Sequence, residues 1–214
     1  MSEMNIEVAR RVATLLLDAK AIKLSPQEPF KWSSGWLSPI YCDNRIALSY
    51  PATRTYIKQQ LAELIRTQFP SVEAIAGVAS AGIAQGTLVA DLLELPFAYV
   101  RPEPKKHGMG NQIEGKLEKG QKVVLVEDLI STGGSSLKVV DALREAGIEV
   151  VGMVAIFTYG FEIAVHNFAQ KEVDCAVLSN YAYLIDAAVA DGYITKNQVF
   201  ELSEWRKVPE SWRQ

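Results

Sequence analysis

Between residues 72 and 178 the chain carries five short, mostly apolar runs, at 72–78, 97–101, 122–128, 149–157 and 173–178. Helical periodicity separates them in every interval but one. Strands that alternate polar and apolar residues keep one face wet, whereas continuously apolar strands need cover on both faces. The pattern therefore predicts an α/β fold with a central parallel sheet flanked by helices. In such sheets ligands bind in the crevice at the carboxyl ends of the strands. The loops after 72–78, 97–101 and 122–128 are thus expected to converge.

Outside that block, residues 5–19 read as an amphipathic helix with Val8, Val12, Leu15, Leu16 and Ala19 on one face. Residues 21–48, punctuated by Pro26, Pro29, Gly35 and Pro39, suit a small lobe of short extended pieces. A helix is expected from about Ser49, with Pro51 in its first turn. Further helices are expected at 134–146, closed by Gly147, at 161–170, and at 195–205 near the end of the chain. The 214 residues, 49% hydrophobic, suffice for one full-sized core.

A formal net charge of -3 argues against a nucleic-acid partner. No apolar run reaches the ~20 residues of a membrane helix. Glu3, Glu7 and Asp18 interrupt the N-terminal stretch, so it does not read as a signal peptide. Cys42 and Cys175 have no metal-site spacing and are expected to be reduced packing residues of a cytoplasmic protein.

The third apolar run ends in two acids, Glu127 and Asp128, followed by Leu129 and Ile130. Ser131, Thr132, Gly133, Gly134 and Ser135 then lead into a helix. Carboxylates accept hydrogen bonds from sugar hydroxyls, and backbone N–H groups at a helix start bind phosphate. An ordinary N-capped turn does not require two acids and five small residues in succession. Neither the nucleoside-triphosphate loop pattern nor the dinucleotide fingerprint is present. The expected ligand is a sugar phosphate. A second cluster, Arg101, Lys105, Lys106 and His107, edges a loop with Gly108, Gly110 and Gly115. It would suit a pyrophosphate leaving group or a plain solvated surface loop.

The segment 124–135 resembles the phosphoribosyl pyrophosphate (PRPP) motif of the type I phosphoribosyltransferases. The resemblance implies that Glu127 and Asp128 hold the ribose hydroxyls, within a PRPP-binding stretch running on through Leu129, Ile130 and Ser131 to Ser135. Residues 101–115 are similar to the catalytic loop of the orotate phosphoribosyltransferases, with Arg101, Lys105 and His107 in matching places. Residues 30–45 (Phe-Lys-Trp-Ser-Ser-Gly-Trp-Leu-Ser-Pro-Ile-Tyr-Cys-Asp-Asn-Arg) resemble the base-covering segment of the same enzymes. The likeness continues through Ser49-Tyr50-Pro51, the 76–83 turn, Ile156-Phe157-Thr158-Tyr159 and Glu204-Trp205-Arg206, and so spans almost the whole chain.

The family then implies the type I phosphoribosyltransferase fold, with an N-terminal helix and base-covering lobe over 1–48. A transferase core would occupy 49–214, carrying a flexible loop at 102–115. It implies transfer of a phosphoribosyl group from PRPP to orotate, with Mg²⁺ bound mainly through PRPP. It also implies a homodimer whose active sites are shared between subunits. Arg101, Lys105 and His107 would be catalytic. The chain lacks basic residues that some members carry at Ser33, Ala81 and Pro102 and after Tyr159. The orotate carboxylate is therefore expected at Ser131 and at main-chain N–H groups near Ser34 and Gly35. A transferase for another base, or a PRPP-sensing regulator without catalysis, is the alternative.

Overall fold

The computed structural model describes residues 4–32, 35–104 and 111–213. The chain opens with α1 (Ile6–Asp18), and Asn5 is its cap rather than its first turn: the Asn5 side chain accepts from the N–H groups of Glu7 and Val8. Its buried stripe is Ala9, Val12, Ala13, Leu16 and Leu17, rotated from the expected face so that Val8 and Leu15 lie at its margin.

Four short strands follow: β1 (Ile22–Leu24), β2 (Phe30–Lys31), β3 (Leu37–Ser38) and β4 (Ile40–Cys42). They form two small antiparallel pairs, β1 with β4 and β2 with β3. A 3-10 turn at Asn44–Ser49 leads into α2 (Pro51–Gln68), with proline in the first turn as expected.

The transferase-like block comprises β5 (Ala74–Val78), α3 (Ala81–Leu93), β6 (Phe97–Val100), β7 (Ile113–Glu114), β8 (Lys122–Ile130), α4 (Gly134–Glu145), β9 (Glu149–Thr158), α5 (Glu162–Gln170) and β10 (Cys175–Asn180). The chain continues into α6 (Tyr181–Ala190) and α7 (Lys196–Lys207). The sheet order is β10-β9-β8-β5-β6-β7. Five strands are parallel, but β7 runs antiparallel against β6, so the sheet is mixed at one edge.

Alternate residues of each central strand enter opposite cores. Val123, Leu125, Met153, Ala155 and Val177 join Leu137, Leu143 and Phe168 of α4 and α5. Val124, Val126, Val154, Ile156 and Leu178 join α1, α2, α6 and the lobe. Both faces are covered, which is why these strands read as continuous apolar runs rather than alternating ones. No described helix is long and apolar enough to cross a membrane.

In sequence order the parallel strands stand as 2-1-3-4-5, so the topological switch falls between β5 and β8. Pairing of β5 with β8 stops at Gly77 opposite Val126. Pairing of β8 with β9 continues to Ile130 opposite Thr158. The two acids therefore lie inside β8 rather than at its end, because β9 carries the ladder past them. They sit where β5 has already stopped, and the crevice opens there.

Candidate active site

Two helix starts frame that crevice. At the end of β5, Ser80 precedes α3 without a side-chain cap, and the Ala79–Ser80 peptide is cis. Gly82 sits so close to β8 that a Cβ there would meet the carbonyl of Val126. At the end of β8, Gly133 takes a left-handed φ of 80° and α4 begins, again without a side-chain cap. A Cβ on Gly133 would lie 2.6 Å from the Phe168 ring of α5. The first N–H groups of a helix lack intrahelical partners, and the macrodipole is positive there. The crevice is thus flanked by two uncapped positive helix ends.

The strand alternation carries into the acids themselves. Glu127 follows Val123 and Leu125 toward α4, and Asp128 follows Val124 and Val126 toward the lobe. Glu127 is 5% exposed. Its Oε2 accepts from the Ser136 hydroxyl at 2.8 Å, and its Oε1 accepts from the Asp128 N–H at 2.9 Å. Burial, then the neighbouring Asp128 charge, holds the Glu127 carboxyl well above the usual carboxylate range. Asp128 is half-buried, and burial raises its carboxyl too, against the lowering influence of its bond to Glu127 and the charge of Arg45.

On the lobe side, Asn44 donates from Nδ2 to the Asp128 carbonyl at 2.7 Å. Arg45 is gripped by Asp43 through Nε at 2.7 Å and Nη2 at 2.9 Å. The lobe itself is fixed by Trp32, whose ring lies 5.4 Å from Tyr159 and 5.7 Å from Trp205. A cavity of about 920 Å³ opens where the lobe, the turn before α4 and the C-terminal helix meet, lined by Trp36, Thr132, Gly160, Phe161, Tyr181 and Arg206 among others. Arg206 donates to the carbonyls of Tyr159 and Gly160 at 3.1 and 3.2 Å.

Arg101 stands just past β6. Its N–H donates to the Gln112 carbonyl at 2.9 Å, and its Nε lies 3.5 Å from Oε1 of Glu114 on β7. The Gln112 amide donates back to the Arg101 carbonyl at 3.2 Å. Glu103 pairs with Lys138 of α4. Lys105, Lys106 and His107 lie outside the described residues, as do Ser33 and Ser34. Gly35 is described, with φ 92°, but its N–H donates to the Trp32 carbonyl at 2.9 Å. That donor is taken up within the segment joining β2 and β3.

The crevice thus gathers Glu127 and Asp128 with the turn of Ser131, Thr132, Gly133, Gly134 and Ser135, and Leu129 and Ile130 serve as strand residues beside Phe157 and Thr158. Sequence reasoning placed Asn44, Arg45 and Arg206 in family-like segments without an individual role and assigned nothing to Ser136. The run of hydroxyls extends to Ser136, so its reach back to Glu127 had a local signal. The other contacts cross long sequence separations and had none.

A family model for the phosphoribosyl transferase domain matches residues 49–191. The chain is 57% identical to the orotate phosphoribosyltransferase of Cytophaga hutchinsonii, over 95% of this chain and 98% of that one. It is 51% identical to that of Lactococcus lactis subsp. cremoris, over 97% and 100%. The crystal structure of orotate phosphoribosyltransferase from Aeropyrum pernix superposes with a TM-score of 0.74 at 29% identity, covering 86% of this chain and 99% of that one. With sheet order, twin helix starts and acid pair in place, the chain belongs to the phosphoribosyltransferase family.

Proposed function

We propose that this protein is an orotate phosphoribosyltransferase, joining the phosphoribosyl group of PRPP to orotate to give orotidine 5'-monophosphate and pyrophosphate in pyrimidine biosynthesis. The observation that carries the reading is the acid pair of β8 set between two uncapped helix starts at the switch of the sheet. PRPP carries anionic groups at both ends of a diol. The α4 start with Ser131–Ser135 suits the 5'-phosphate, the α3 start suits the pyrophosphate, and Glu127 and Asp128 suit the ribose hydroxyls.

Breaking the C1 bond builds positive charge on the sugar and negative charge on the departing pyrophosphate. Arg101, Lys105 and His107 are assigned to that leaving group, as electrostatic stabilisers and, for His107, as a proton donor. Mg²⁺ keeps waters and binds largely through substrate phosphates. It would be held mainly through PRPP, with Glu127 and Asp128 fixing the sugar that positions it, and would neutralise charge on the pyrophosphate. The cavity lined by Trp36 is assigned to the base, and Ser131, Ser34 and Gly35 are assigned to its carboxylate.

The loop 101–115 is assigned to a neighbouring subunit's site in a homodimer, in the cytoplasm. Mixing inactive Lys105→Ala and Asp128→Asn subunits should restore activity in heterodimers, and proven exchange without recovery would refute shared sites. The reaction is tested by mixing protein, Mg²⁺, PRPP and orotate and following loss of orotate absorbance. Turnover of adenine, hypoxanthine or uracil with none of orotate would overturn the assignment.

A further inference from the structure

A buried amide of the lobe is bonded to the acid-bearing strand. Asn44 begins the 3-10 turn that follows β4 and is 1% exposed. Its Nδ2 reaches the Asp128 carbonyl at 2.7 Å across 84 positions of sequence. Its Oδ1 accepts from the Cys42 thiol at 3.4 Å, which orients the amide so that the NH₂ group faces β8. Asp128 lies beyond Val126, the last residue of β8 paired with β5. Here the strand has lost one neighbour, and a lobe side chain supplies a hydrogen bond instead. Asn44 is flanked by Asp43 and Arg45, whose bidentate pair stiffens the same segment. The other end of the lobe is held by Trp32 against Tyr159 and Trp205, beside the cavity assigned to the base.

We propose that Asn44 is a positioning residue that couples base binding under the lobe to the sugar grip of Asp128. The inference rests on the assignment of Asp128 to the ribose and of the lobe to orotate. A base that settles the lobe would also settle the Asn44–Asp128 bond, and by linkage each ligand then favours the other equally.

The test needs a pair of ligands that bind together but cannot react. Ribose 5-phosphate and orotate form such a pair, since no pyrophosphate is present to leave. Ribose 5-phosphate affinity is measured calorimetrically with and without saturating orotate, in wild type, Asn44→Ala and the isosteric Asn44→Asp. Wild type should bind ribose 5-phosphate about fivefold or more tightly when orotate is present. Both variants should bring that ratio to about 1. Cys42→Ala keeps the amide and removes what orients it, so its ratio should fall between, and it serves if the Asn44 variants do not fold. A general loss of structure would weaken each ligand without abolishing the ratio. Folded Asn44 variants that keep the wild-type ratio, an unchanged ratio in Cys42→Ala, or no coupling in an active wild type would overturn the proposal. Wild type that neither turns over orotate nor binds ribose 5-phosphate would overturn the reaction itself, and the proposal with it.

Discussion

The Ser136 hydroxyl, in the first turn of α4, donates to Oε2 of Glu127 on β8 at 2.8 Å. One bond thus ties the helix that follows the turn assigned to the phosphate to the acid assigned to the ribose. Ser136→Ala leaves a carboxyl oxygen buried without that partner. It is expected to cost about 1–3 kcal/mol of stability, as for an unsatisfied buried polar group. PRPP affinity should fall with it. Urea unfolding and PRPP titration check both, and an unchanged urea midpoint would refute the structural part.

The Glu127 and Asp128 carboxyls are both raised by burial, so the folded protein keeps protons that the unfolded chain has released. Their contribution is therefore greatest below the ordinary carboxylate range and is lost as pH rises from there toward the raised values. Glu127→Gln cannot titrate. Its stability relative to wild type should improve as pH rises from the ordinary carboxylate range toward the raised values, while its KM for PRPP, measured on the alkaline side where wild-type Glu127 is ionised, rises roughly 10–100-fold for loss of a charged hydrogen-bond acceptor. Denaturation series at several pH values decide this, and a pH-independent difference would contradict it.

Gly133 combines a φ of 80° with the Phe168 ring against its Cα. Gly133→Ala should lose about 1–2 kcal/mol to the left-handed backbone and about 1–3 kcal/mol to overpacking. The double variant with Phe168→Leu should recover part of the packing cost and none of the backbone cost. Thermal melts of wild type, both single variants and the double variant read this directly, and additive losses would count against the contact.

Trp32→Ala removes the contact between lobe and aromatic cluster and the Nε1 bond to the Ile40 carbonyl. A half-buried tryptophan should cost about 1–3 kcal/mol, below the value for a fully buried one. The KM for orotate should rise more than the KM for PRPP. Equal rises would remove the lobe from acceptor binding.

Much of this was legible beforehand because it is periodic. Five apolar runs and their intervening helices correspond to β5, β6, β8, β9, β10, α3, α4 and α5, with boundaries displaced by a few residues. Strand ends were less legible, since the length of β8 is decided by β9, whose paired residues lie 27 or 28 positions away. The short β7 was missed because two residues offer no period to read. The motif 127–135 was legible as chemistry, but not the divergence of its acids toward α4 and the lobe. That followed from the two-residue period of Val123 to Val126 carried one step further. Asn44 and Arg206 were invisible as partners because their bonds span 84 and 47 or 46 positions.

Arg101 and Gln112 are joined by backbone and side-chain bonds at the foot of β6 and β7. These bonds hold the two ends of the intervening segment together at the sheet margin. Its length is then decoupled from the register of every strand. Closing a longer ring adds only about 0.6 kcal/mol per doubling, so insertions between residues 103 and 111 can be accommodated without disturbing the acids of β8. The leaving-group role assigned to that segment would in this sense be a detachable module, to be lengthened, shortened or exchanged while the cradle assigned to the sugar phosphate stays as it is.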